Sequence, residues 1–187
     1  MTMRQATASP PGRQTLRLFF ALWPGAALRK RIAAHQALWS WSPPARPTPA
    51  SKLHLTLLFM DGVDPARMPD LLRIGADAAR GWADFDLTLD RAAVWRPGGI
   101  AHLALQHPPA SLLALHRTLA ENVALRDVPF DARPYSPHIT LGRRAECLTA
   151  PSDFPPVHWP VRGFVLVQSV LGTGRYAVLG RWPAPVG

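Results

Sequence analysis

Two segments with the same four-residue pattern (histidine, an apolar residue, threonine, leucine) constrain this chain more than any other feature. They are "HLTL" at residues 54–57 and "HITL" at residues 138–141, and they begin 84 residues apart. Successive side chains of a β-strand point to opposite faces, so the histidine and threonine of each segment share one face and the apolar residues share the other. Each segment therefore predicts a strand that is buried on one face and presents a histidine and a threonine on the opposite face, where a cleft can form.

The pattern of elements around these segments predicts an α+β fold. Helical periodicity is found in "PGAALRKRIAAHQALW", "DPARMPDLLRIGADAA" and "PASLLALHRTLAENVAL". The segments "FDLTLDRAAVW" and "IAHLALQ" read as strands around an "RPGG" turn, and "WPVRGFVLVQSVLG" and "RYAVLGRW" read as a pair joined by "GTG". The proline-rich "SPPARPTPAS" is expected to be irregular. The hairpin signals favour antiparallel sheets.

Length and composition indicate one folded domain. At 187 residues with 48% hydrophobic residues, the chain is long enough for one core or for two small lobes that share it. Residues 1–14 are small and polar and predict a flexible tail, and residues 15–187 predict a single domain. Because each half carries one histidine strand with a helix before it, we expect two related lobes that present their histidines to a shared groove.

The formal net charge of +9 is compatible with an attraction for polyanions and equally with a solvated basic surface. Cys147 is the sole cysteine, which excludes an internal disulfide and fits a reducing cytoplasm. The apolar run from Leu18 to Trp23 is too short to span a membrane, so we expect no targeting segment and no membrane partner.

Two histidines on facing strands are sufficient for general acid-base catalysis near neutral pH, because an unperturbed imidazole titrates at about 6.5 and can accept or donate a proton there. A single His-x-Thr segment is more often an ordinary strand surface, but its recurrence favours a site. Neither segment carries the three ligands that a catalytic zinc usually needs, and no nucleophile elbow or glycine-rich phosphate loop occurs. Among the other histidines, His102 lies on a predicted strand and is kept as a site candidate; the remainder are interpreted as spectators (His35, His107, His116, His158).

Four stretches together resemble one protein family: "RLFFALWP", "KLHLTLLFMDGV", "RPYSPHITLGRR" and "SVLGTGRYAVLGRWP". The paired motifs are similar to those of the two-histidine (2H) phosphoesterase superfamily, and more narrowly of its RNA 2',3'-cyclic phosphodiesterase branch, also named 2'-5' RNA ligases. The resemblance implies a bilobal α+β fold with two pseudo-symmetric antiparallel-sheet lobes, helices outside and a central cleft.

The resemblance also implies roles for five residues. His54 would be the proton donor to the leaving oxygen and His138 the proton acceptor that activates water, while Thr56 and Thr140 would hold phosphate oxygens. Arg143 would stabilise charge on the phosphate oxygens. An uninterrupted strand would turn Arg143 away from His138, so we expect a bulge or a strand end at the glycine before it to bring the arginine into the cleft.

The expected activity is metal-independent hydrolysis of RNA or oligonucleotide 2',3'-cyclic phosphate ends to 2'-phosphates, by a cytoplasmic monomer without metal or cofactor. Two alternatives remain open. A 2'-5' RNA ligase would use a ribose 5'-hydroxyl in place of water, and a non-catalytic protein would bind RNA ends in the same cleft without turnover.

Overall fold

The computed structural model describes residues 15–170 and 172–183, and these form three α-helices and ten β-strands. The helices are α1 (Ala26–Gln36), α2 (Met68–Ala79) and α3 (Ala110–Ala124). The strands are β1 (Leu16–Leu22), β2 (Arg46–Pro47), β3 (Leu55–Val63), β4 (Phe85–Leu89), β5 (Arg91–Trp95), β6 (Ile100–Ala104), β7 (His138–Arg143), β8 (Val157–Val161), β9 (Phe164–Val170) and β10 (Arg175–Trp182). The tail predicted for residues 1–14 lies outside the described residues.

Eight of these strands form one antiparallel sheet, in the order β10-β9-β1-β3-β7-β6-β5, with β2 also paired to β7. A separate two-stranded sheet joins β4 to β8. The predicted α+β class with antiparallel sheets is confirmed. The large sheet consists of two four-stranded halves, because β3 and β7 pair only at Leu55 and Ile139. Its description as two pseudo-symmetric lobes stays a prediction.

The two faces of the sheet are covered differently. Buried side chains of all three helices, such as Leu28, Ile74 and Leu119, join one continuous core with leucines of both half-sheets. On the opposite face, a smaller apolar cluster is formed by β1 and β9, with Phe19 and Val167 among its buried members. Phe19 of this second cluster lines the cleft described below.

Two expectations about local structure are wrong. The segment "FDLTLDRAAVW" does not form one strand, because it divides at Asp90 and β4 and β5 join different sheets. The Asp90 carboxylate accepts a hydrogen bond of 2.7 Å from the backbone amide of Gln106. The proline-rich segment is not wholly irregular, since β2 pairs with the end of β7 and the Thr48 amide donates to the Leu141 carbonyl at 2.7 Å. Proline is tolerated there because β2 is a short edge strand.

Within the described ranges, the helices are all too short or too polar to cross a membrane.

Candidate active site

The pairing of Leu55 with Ile139 brings the two motifs together. Both side chains are fully buried in the core, so the histidine and threonine of each motif face the other side of the sheet. In an antiparallel pair, the residue before one member lies opposite the residue after the other. Each histidine therefore lies opposite the threonine of the other motif, around the single point where the two half-sheets join.

A cleft of about 770 Å³ lies over this point. All five predicted site residues line it: His54, Thr56, His138, Thr140 and Arg143. Its wall also carries cations that were not predicted as site residues: Arg17, Arg46, Lys52, Arg133 and Arg144. The structure thus brings the predicted residues together in one basic cavity large enough for a small-molecule ligand.

Two β-bulges determine which residues follow the motifs into the cleft. In β3 the register with β1 shifts so that Leu57 is an extra residue, and in β7 the register with β6 shifts so that Leu141 is extra. An extra residue reverses the alternation of side chains beyond it. Phe59 therefore lies on the cleft side, whereas an uninterrupted strand would have placed it on the core face with Leu55 and Leu57.

The bulge in β7 accounts for the position of Arg143. The predicted interruption occurs at Leu141, one residue before the glycine where it was expected. Gly142 then turns towards the Trp41 indole, where a Cβ atom would overlap the ring and would lie 2.9 Å from the backbone oxygen of Arg46. Glycine is required at this position by close packing, and Arg143 is turned into the cleft.

His54 lies in an aromatic enclosure formed by β1, the residue that follows it and β10. Its ring stacks on Phe19 and Trp23, with centroid distances of 4.8 and 5.4 Å, and meets the edge of Tyr176 at 5.6 Å. Its Nδ1 lies 2.6 Å from the Lys52 carbonyl oxygen, which can only accept, so Nδ1 donates. Burial lowers the pKa of His54 to about 4, and nearby positive charge adds to the effect.

His138 has a different environment. Its Nδ1 donates to the Ser136 carbonyl at 2.8 Å, and its ring meets Trp95 at 4.4 Å and His102 at 5.6 Å. Burial lowers the pKa of His138, and the positive charges of His102 and Arg143 lower it further. In the neutral state both cleft histidines therefore keep Nε2 as the basic nitrogen.

His102, the remaining site candidate, is buried beside His138 and does not line the cleft. It is 3% exposed, its Nδ1 donates to the Ile100 carbonyl at 3.0 Å, and its ring packs on Trp95 at 4.2 Å. Burial lowers the pKa of His102 as well. Protonation of His102 is thus disfavoured, and where it occurs it lowers the pKa of His138.

Several contributors to the site carry no signal in the local sequence. The aromatic residues around the histidines come from strands far apart in the chain. His116, interpreted as a spectator, donates from Nδ1 to the Leu57 carbonyl at 2.8 Å and so holds the first bulge.

No group of three or more His, Cys, Asp or Glu side chains suited to a metal occurs in residues 15–170 and 172–183.

Comparison with known proteins identifies the family. The model of the 2'-5' RNA ligase superfamily matches residues 24–173. The RNA 2',3'-cyclic phosphodiesterase of Escherichia coli (strain K12) is 36% identical over 171 residues, covering 89% of this chain and 95% of the relative. The protein of the same name from Thermus thermophilus is 32% identical over 170 residues, covering 83% of each chain.

A solved structure supports the same assignment. The crystal structure of E. coli LigT complexed with 3'-AMP matches with a TM-score of 0.75 and 32% identity, covering 90% of this chain and 98% of the other. This chain belongs to the 2'-5' RNA ligase superfamily, and the resemblance of its paired motifs to 2H phosphoesterases is confirmed.

Proposed function

We propose that this protein is an enzyme that hydrolyses 2',3'-cyclic phosphate ends of RNA or oligonucleotides to 2'-phosphates. The observation that carries the proposal is the placement of two histidines in one basic cleft, each with Nδ1 committed to a backbone carbonyl. Such a pair leaves two Nε2 atoms to exchange protons with one ligand. The names of the bacterial relatives and the nucleotide held by E. coli LigT support this substrate class.

The reaction exchanges one bond at phosphorus. A water oxygen attacks as the bond from phosphorus to the 3'-oxygen breaks, and attack is in line with the leaving oxygen. His138, neutral at Nε2, takes the proton that the water loses, and His54, protonated at Nε2, gives its proton to the 3'-oxygen. The two histidines end the cycle with their protonation states exchanged and return to the starting state through solvent.

The other three residues act on the phosphate. Thr56 and Thr140 lie on the strand face of the histidines, and their hydroxyls donate to the non-bridging oxygens. The guanidinium of Arg143 remains charged and stabilises the negative charge that develops on these oxygens. These donors supply the charge stabilisation for which other phosphoesterases use a metal, so the proposed reaction needs neither metal nor cofactor.

Substrate binding favours the protonated form of His54, which is the proton donor. In the free cleft, burial and neighbouring positive charge hold the pKa of His54 at about 4. A bound cyclic phosphate brings a negative charge next to the ring, which raises that pKa. The proton is therefore taken up together with the substrate. Action as a monomer in the cytoplasm stays a prediction.

Incubation of the protein with a nucleoside 2',3'-cyclic phosphate, with and without EDTA, tests this proposal. Phosphorus NMR against authentic 2'- and 3'-nucleotides identifies the product. We expect turnover to the 2'-phosphate at the same rate in both conditions. Absence of turnover contradicts the enzyme assignment, a 3'-phosphate product reverses the proposed orientation, and loss of activity with EDTA contradicts metal independence. Adding an oligonucleotide with a free 5'-hydroxyl reports ligation in the same assay.

A further inference from the structure

The cleft carries more positive charge than one cyclic phosphate needs. Its only lining carboxylate within the described residues, Asp131, is already paired with Arg133, and Arg17 is paired with Asp61 at 2.7 Å. Three lining arginines have no carboxylate partner in the part of the chain that the structure describes: Arg46, Arg143 and Arg144. A cyclic phosphate has a single negative charge, so this surplus indicates a second anionic group.

The three arginines differ in their electrostatic influence on the two histidines. Arg143 contributes positive charge at both His54 and His138, whereas Arg46 and Arg144 are not among the main influences on either ring. Arg46 is the register partner of Arg143 on β2. Because β6 occupies one edge of β7, β2 and β3 share the other edge, and β2 continues the cleft wall beyond His54. At about 3.3 Å per residue, the backbones of Arg143 and its partner Arg46 both lie on the order of 10 Å along β7 from the point where the motifs meet, with Arg46 on the neighbouring edge strand.

Arg46 is held in a rigid segment. Its strand is fixed to β7 through the Thr48 amide, which donates to the Leu141 carbonyl at 2.7 Å. Gln36 of α1 donates to the carbonyl oxygens of both Thr48 and Leu141, at 2.9 and 2.8 Å. An arginine whose backbone is fixed in this way loses less conformational freedom when it binds an anion.

Arg144 has an unusual backbone conformation, with a φ of +56°. A residue with a side chain is strained in this left-handed region, because its Cβ atom crowds the backbone. The other non-glycine residue with positive φ, Asp127, follows helix α3, where a left-handed cap is common. Arg144 instead follows a strand at the rim of the cleft, and the strained backbone places a cation there.

We propose that Arg46 and Arg144 form an outer phosphate site, which binds the phosphate on the 5'-oxygen of the nucleoside that carries the cyclic phosphate. The inference rests on the proposed function and extends it, since such a site selects the end of an RNA chain over a free nucleoside cyclic phosphate. Arginine suits this role because its planar guanidinium binds two phosphate oxygens at once. The 5'-phosphate belongs either to an internucleotide link or to a terminal monoester, and the chemistry recognised is the same.

Three substrates with the same terminal nucleoside test the outer site. They are the nucleoside 2',3'-cyclic phosphate with a free 5'-hydroxyl, its 5'-phosphorylated form, and a dinucleotide that ends in it. We expect kcat/KM to be at least about tenfold higher for both substrates with a 5'-phosphate. A single charge-assisted contact is enough for an increase of this size. The salt dependence of kcat/KM should also be steeper for them.

The variants Arg46→Gln and Arg144→Gly should each lower this preference several-fold. Glycine adopts the left-handed conformation of Arg144 without strain, so the second variant removes the cation while it keeps the backbone. Arg73→Gln is the matched control, because Arg73 is an exposed arginine on α2 that lines no described cavity. Its preference ratio should equal that of the wild type.

The outcomes separate this inference from the proposed function. Equal kcat/KM for the three substrates, or an unchanged ratio in both cleft variants, overturns the outer site and leaves cyclic phosphate hydrolysis standing. A preference for the dinucleotide without one for the 5'-monoester also overturns it, because contacts to the second nucleoside then replace contacts to phosphate. If no substrate is turned over, the proposed function fails and the outer site fails with it.

Discussion

Leu57 and Leu141 are the extra residues of two equivalent β-bulges, each three positions after the histidine of its motif. The carbonyl of each accepts a hydrogen bond of 2.8 Å from a helix side chain: His116 of α3 for the first and Gln36 of α1 for the second. The residue two positions after each bulge therefore reaches the cleft. These positions are Phe59 in one half of the sheet and Arg143 in the other.

The bulge at Leu141 gives a first prediction, which concerns Gln36→Leu. The change removes the donor that holds the Leu141 and Thr48 carbonyls, so stability should fall by about 1–2 kcal/mol and Arg143 should be less well placed. We expect kcat/KM to fall because Arg143 is displaced. A double-mutant cycle with Arg143→Gln measures how much of that fall depends on Arg143.

The two effects of Gln36→Leu are separable. In the Arg143→Gln background, the substitution should still lower the melting temperature and should no longer change kcat/KM. An equal loss of kcat/KM in both backgrounds would show that Gln36 has only a general structural role. The matched control is Gln106→Leu, which alters an exposed glutamine and should change neither quantity by much.

The second prediction concerns the close approach at Gly142. In Gly142→Ala the new methyl group would overlap the Trp41 indole and press on the backbone of β2, so we expect destabilisation by about 1–3 kcal/mol in urea unfolding. Gly81→Ala is the control, since a Cβ at Gly81 meets nothing within 4 Å. Equal stability of the two variants would contradict the packing described for Gly142.

The faces of the two motif strands can be predicted from sequence, because the alternation of His54, Leu55 and Thr56 has a direct geometric meaning and recurs at His138. The α+β class also follows from local periodicity and turn residues. Beyond the third residue of each motif the alternation fails. Leu57 and Leu141 are ordinary strand residues, so the bulges leave no signal in composition, and only the glycine next to the second indicates an irregularity.

The surroundings of the histidines depend on strand order, which local patterns do not contain. Phe19 and Tyr176 lie in β1 and β10 and contact His54 only because β9 joins these strands in the sheet. The pKa of His54 follows from that enclosure. The position of Arg46 on β2 could not be predicted either, since a proline-rich segment carries little information about strand pairing.

The third prediction is the pH dependence of kcat/KM. The active form of the free protein needs charged His54 and neutral His138, and burial lowers the pKa of both. Rising pH removes the charge from one ring and falling pH adds it to the other, so the profile is bell-shaped with limbs that belong to the pair. We expect the maximum of kcat/KM below pH 6.5. The maximum of kcat should lie at higher pH, because bound phosphate raises both pKa values.

Arg143→Gln tests the electrostatic part of this prediction. Loss of its positive charge raises the pKa of both rings, so the kcat/KM profile should move to higher pH, whereas Arg73→Gln should leave it in place. A kcat/KM that is constant from pH 5 to 9 would contradict acid-base catalysis by the two histidines.

The fourth prediction links His54 to stability. Above pH 6.5 the ring is neutral in both folded and unfolded chains. Between pH 6.5 and about 4 the unfolded chain binds a proton that the folded chain does not, so stability falls as the pH falls. His54→Gln should reduce this loss by roughly 2–3 kcal/mol between pH 7.5 and 4.5. His107→Gln changes an exposed histidine and should show the same dependence of stability on pH as the wild type. If the stability of His54→Gln also changed with pH in parallel with the wild type, the lowered pKa of His54 would be contradicted.

Single-turnover hydrolysis of a 2',3'-cyclic phosphate by four proteins tests the central claim most directly: the wild type, His54→Gln, His138→Gln and the double variant. His107→Gln serves as the control with near wild-type rate. We expect each single variant to be slower by about 10²- to 10⁴-fold and the double variant to be slower than the single ones by much less than the product of their effects, because the two rings act as a unit. A rate within tenfold of wild type for either single variant would contradict two-histidine catalysis.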